Sequence, residues 1–183
     1  MVPRDHEYMT VPADWQGFAE MIGGASGALT GLLFVAVSLN ASRIAGHTGL
    51  RASATQTLVL FLTPLAMAAA VLTPGQPDWV VGAELIGIGL TASWVLLAIV
   101  RLKHSLADDA QRLISIFNRR GPNVIVMLLF VASGAALAAG ANAGLYLLLP
   151  ASLVAFVSGV LNAWYFLLPP PPPDEHTARK ADG

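Results

Sequence analysis

Hydrophobic positions along this chain fall into long unbroken runs, separated by short polar breaks. The first run, Glu20 to Asn40, reads EMIGGASGALTGLLFVAVSLN, and no charge follows Glu20 until Arg43. A second stretch has no charge between Arg51 and Asp78, and a third, from Trp79 to Arg101, contains only Glu84. Gly121 to Pro173 holds no charge at all. About 20 apolar residues cross a bilayer, so this last region predicts two spans joined by a turn at 140–144. The pattern predicts an all-α polytopic membrane protein: a bundle of five transmembrane helices over about 18–41, 53–73, 79–100, 122–140 and 144–168.

Between the third and fourth spans the periodicity changes. Leu106, Ala110, Leu113 and Phe117 form one apolar stripe at helical spacing, with Asp108, Arg112, Ser115 and Arg119 on other faces. This predicts a short interfacial helix over about 104–120, in which Asp108 and Arg112, four apart, pair. TPGQPD at 73–78 reads as a tight turn, and 42–52 as a connection. Prolines mark three helices: Pro64 predicts a kink in mid-span, Pro122 sits in a first turn where it is tolerated, and Pro150 falls in the first two turns of the fifth span.

Residues 1–17 read as an extracytoplasmic arm, in which Asp14 caps a helix start and Trp15 prepares the interface. The arm lacks the basic-then-apolar order of a signal peptide, so the first span is expected to be retained. The five prolines of 169–173 are stiff and extended, and they lead a tail to residue 183 that is expected to be disordered and cytoplasmic.

Composition narrows the class. Of 183 residues, 11% are charged and 55% hydrophobic, against about 25% charged in soluble domains. The net charge of −1 and the lack of a basic stripe argue against nucleic acid as a partner. With no cysteine there is no thiol catalysis, disulfide or cysteine-ligated zinc. Five spans put the termini on opposite sides. Nine of the ten Lys and Arg residues then share one side, with Arg4 alone on the other. Basic residues collect in cytoplasmic loops. The expected location is therefore the cell membrane, with the N-terminus outside and the C-terminus in the cytoplasm.

Candidate chemistry lies with two acids. Glu20 stands at the mouth of span 1 and Glu84 about 7–8 Å into span 3. A charge costs about 2.5–3.5 kcal/mol at the bilayer centre and less nearer the surface. Each acid reads either as a cation or proton site, or as a structural group: a helix-capping carboxylate for Glu20, a hydrogen-bonded carboxyl for Glu84. Glu20, Gly24, Gly27, Gly31, Phe34 and Ser38 recur at spacings of four and three, on one helix face. Around an axis they would form an acidic ring, a narrow wall and an aromatic constriction. The other reading of this glycine-rich stretch, which includes Gly23, is a seam against a helix of the same chain or of a second copy.

Asn123, Asn142 and Asn162 read as interhelical hydrogen-bonding or turn-capping residues. His47 and His104 have no second ligand at metal spacing, so no metal or cofactor is expected. No HExxH, GxSxG, Walker or dinucleotide glycine pattern occurs, and an enzyme is not expected.

GASGALTGLLFVAVSLNASRI, followed by a span ending in LTPGQ and by GAEL around Glu84, resembles a group of small actinobacterial integral membrane proteins without established activity. GLLFVAV is also similar to the pore-lining first helix of Orai calcium channels. Those channels have four spans and a cytoplasmic N-terminus, and they carry acids where this chain has Arg43 and Arg51. These resemblances imply a membrane bundle, and the second implies a first helix that lines a pore. The functional expectation is a small oligomeric channel or conduit for cations or protons. The rival is an accessory or regulatory subunit of a larger membrane complex, such as a membrane protease or respiratory assembly. An intramembrane enzyme acting on lipid stands third.

Overall fold

The computed structural model describes residues 14–104 and 112–167, with side chains over 14–98 and 123–164. In chain order the elements are α1 (Asp14–Leu39), α2 (Ala41–Ala45), α3 (Thr48–Leu72), α4 (Asp78–His104), α5 (Arg112–Ala138), a 3-10 turn (Asn142–Leu147) and α6 (Leu148–Leu167). No strand occurs among the described residues. Four stretches are long and apolar enough to cross a membrane: α1, α3, the first part of α4, and the 3-10 turn with α6. The apolar part of α5, Asn123–Ala138, is shorter.

Several boundaries differ from the sequence reading. The connection at 42–52 is mostly helical: α2 occupies 41–45, and α3 starts at Thr48 with His47 as its cap residue. His47 Nδ1 donates to the Arg43 carbonyl at 2.9 Å, tying the two helices together. Residues 14–17, assigned to the arm, are the first turn of α1. The segment 112–120, expected in a separate surface helix, is continuous with the fourth span as α5. Gly121 and Pro122 do not end it. The proline forfeits one intrahelical bond, a loss that membrane helices tolerate. The apolar stripe's start at 105–111, the arm at 1–13 and the tail from 168 lie outside the described residues.

Two turns close the bundle at one end. At 73–77 the chain reverses through Gly75, whose φ of +73° is open to glycine at little cost. After α5, Gly140 adopts φ +81°. Its N–H bonds the Leu137 carbonyl and the Ala141 N–H bonds the Ala136 carbonyl, a Schellman termination. The backbone then tightens to 3-10 form before α6. Pro150 is the third residue of α6, where its missing N–H would have had no intrahelical partner. It therefore starts the helix and does not need to kink it.

α3 is the hub. It packs against α1, α4 and α6, and α5 packs against α4 and α6. Half of its apolar window is buried, against 17% for α1. Leu60, Met67, Leu85, Phe130, Leu137, Leu145 and Leu148 fill the interior. Polar groups are turned inward as well: Ser26, Ser53, Thr57, Thr63, Ser133 and Ser152 are all buried. Leu32, Phe34, Leu39 and Trp94 are each more than 60% exposed. Water would not tolerate so broad an apolar exterior on a monomer; lipid would.

Glycine brings the backbones of α4 and α5 together. A Cβ on Gly82 would lie 2.6 Å from the Gly134 carbonyl oxygen, and one on Gly89 would lie 2.8 Å from Val131 Cγ2. Gly144 sits equally close to Ser133 and Ala136 of α5. Backbones can meet at this range only where side chains are absent, which is how helices associate when lipid supplies no hydrophobic drive.

Candidate functional site

α1 is held along one edge only. Ala19, Ile22, Ser26 and Leu33 are buried, and Gly23 packs on α3 so closely that an added Cβ would lie 3.1 Å from the Cβ of Ala68. The face bearing Glu20, Gly24, Gly27, Gly31, Phe34 and Ser38 is turned away, about 130° round the helix at 100° per residue. All six are exposed. A Cβ added at Gly24, Gly27 or Gly31 would touch nothing within 4 Å. The alternative in which these three glycines form a seam within the chain is therefore not what the structure shows. Of the glycines singled out on this helix, Gly23 alone has that role.

Glu84 occupies a different place. Its carboxyl Oε1 accepts a hydrogen bond from Gln76 Nε2 at 3.0 Å, across the turn between α3 and α4. It lines an open groove of about 680 Å³ between these helices, which runs from Thr73 and Glu84 at one end to Val59 and Val95 at the other. Glu20 does not line this groove. The two acids are not brought together within one chain.

A third acid was passed over in the sequence because it ends a turn. Asp78 is 5% exposed, and among the described residues neither carboxyl oxygen has a hydrogen-bond partner; Gln76 Oε1 and Asn142 Oδ1 are likewise buried and unpaired there. Asp78 lies one helical turn before Gly82, on the face that meets the C-terminal end of α5. Its burial follows from that close approach, and no periodicity could have announced it.

Of the three asparagines, Asn162 makes an interhelical bond: its Nδ2 donates to the Ser53 carbonyl at 2.9 Å and to Thr57 Oγ1 at 2.6 Å, joining α6 to α3. Among the described residues no group of three or more His, Asp or Glu side chains is placed to hold a metal. The fold defines the class: an all-α bundle with four helices long and apolar enough to cross a membrane, in which α1 is little buried and an open groove lies between α3 and α4. The chain matches no family model, no curated protein and no solved structure.

Proposed function

We propose that this is a non-enzymatic integral membrane protein that assembles with copies of itself through α1 into a small conduit for cations or protons. The observation that supports it is the uncovered face of α1. Glycine costs about 1 kcal/mol against alanine in a helix interior, and here three glycines meet nothing among the described residues of their own chain. A second copy of α1 is the partner that would use them. Helices gathered this way would present Glu20 as a ring of carboxylates above a glycine wall, with Phe34 as the constriction and Ser38 below it. Such rings select cations. Glu84, in its separate groove, would stand off this axis. With nine of ten basic residues on the other side, the ring would face outward from the cell.

The second reading, an accessory subunit of a larger membrane complex, is favoured by the filled interior. Leu60, Met67, Leu85 and Phe130 are fully buried between the helices of a single chain, and the α1 face would suit a foreign helix as well as its own copy. The resemblance to actinobacterial membrane proteins without established activity fits both readings, and that of GLLFVAV to the Orai first helix fits the first.

Reconstitution separates them. Wild-type protein in nanodiscs should be a closed oligomer and should pass cations in proteoliposomes. Glu20→Gln should reduce flux and Gly27→Leu should abolish assembly. A monomer without flux, recovered with a different membrane protein, would replace the first reading with the second.

A further inference from the structure

The groove between α3 and α4 is made by missing side chains. Ala66, Ala69 and Ala70 line one wall and Gly87 and Ala92 the other. Its volume, about 680 Å³, falls within the range of small-molecule sites. From Glu84 to Val95 it extends about 16 Å along α4, and from Thr73 to Val59 about 21 Å along α3. Glu84 and Thr73 mark one end, and beyond them the apolar walls are interrupted by the hydroxyls of Thr63 and Thr91.

The polar groups are all of one kind. Three threonines line the groove, and each hydroxyl hydrogen is already used: Thr63 donates to the Val59 carbonyl at 2.7 Å, Thr73 to Ala69 at 2.9 Å and Thr91 to Gly87 at 2.7 Å. Glu84 is the one ionisable group in the lining, and the nearby Gln76 Nε2 donates one of its two hydrogens to Glu84 Oε1. Apart from that amide, the described side chains of the lining offer acceptors: the Glu84 carboxyl group and the threonine oxygens. A phosphate or fatty-acid head would meet another acceptor in the Glu84 carboxyl group. An ammonium, which only donates, would be accepted by that group, with the Thr73 hydroxyl oxygen at the same end of the groove.

We propose that this groove binds a single-chain amphiphile with an ammonium head, the head at Glu84 and the alkyl chain along the alanine–glycine walls toward Val59 and Val95. The open side of the groove would let the chain enter sideways from lipid. The site is independent of α1 and of assembly through it.

The test uses the full chain in nanodiscs with a diazirine-bearing hexadecylamine, with labelled peptides mapped by mass spectrometry. Label should concentrate in 59–73 and 84–95. Unlabelled hexadecylamine should compete about tenfold better than hexadecanol, the ratio one charge-assisted hydrogen bond provides. Glu84→Gln should erase that preference while the label stays in place. Gly87→Leu should remove the label. Gly87 is exposed and nothing lies within 4 Å of a Cβ there, so the fold should tolerate this change. Equal competition by the alcohol, equal labelling of α1 and α6, or undiminished labelling of the Gly87→Leu protein would each overturn the proposal.

Discussion

Gly82 and Gly134 touch backbone to backbone: a Cβ on either would lie 2.6 Å from the carbonyl oxygen of the other. Ala138 N and Ile86 N stand almost as near, so the obstruction on both sides is main chain and cannot swing aside. Gly82→Ala and Gly134→Ala should each force α4 from α5 and cost about 1–3 kcal/mol or more. Gly24→Ala, which meets nothing, should keep or slightly raise stability, since alanine is the better helix former by about 1 kcal/mol. Unfolding of the three variants in detergent checks this; equal midpoints would refute the seam.

Asn162 is the polar clasp between α6 and α3. Asn162→Leu removes both of its bonds to α3, and Thr57 Oγ1 then retains only its own donation to the Ser53 carbonyl. Interhelical hydrogen bonds in membranes are worth about 0.6 kcal/mol on average and about 1.7 at most. The variant should lose stability in that range without changing oligomeric state. A neutral or stabilising outcome would show that packing around Phe61 and Gly159 carries the interface alone.

Asp78 sets two effects against each other. As the first residue of α4 it gains about 0.3–1 kcal/mol from the helix dipole. Buried with no donor on either oxygen among the described residues, its charge is disfavoured by lost hydration. Burial wins, so Asp78→Asn should raise the unfolding midpoint at pH 8. A fall would mean that the carboxylate is bonded to something that the chain alone does not supply.

Orientation is open to direct labelling, because the chain has no cysteine of its own. His47 and Pro74 are both exposed, at opposite ends of α3. In intact cells an impermeant maleimide should reach Pro74→Cys and leave His47→Cys unlabelled until the membrane is opened. The reverse pattern would invert the charge argument and move the Glu20 ring to the cytoplasm.

The two glycine patterns show where reading the chain stops. GxxxG-like spacing on α1 drew attention because it is dense. Gly82 and Gly89, seven apart, and Gly134 with Ala138, four apart, form the tight contact and are far less conspicuous. Small residues permit close approach but do not choose the neighbour. That choice came from α3 filling the centre, which left α4 and α5 to meet each other and α1 to lie outside. Pro122 teaches the same lesson in the backbone. Next to Gly121 it reads as a helix start, yet α5 passes through it.

Length, composition and turn chemistry were local properties, so the residue string alone carried them. It held the apolar runs, the break at Gly75, the break at Gly140 and the class of solvent they require. Which faces met, which were left bare to the lipid, how deeply Asp78 was buried and how far Glu84 stood from Glu20 depended on every helix at once. Only the assembled bundle decided those, because contacts between segments distant in sequence form through shape, and shape is shared among all the helices.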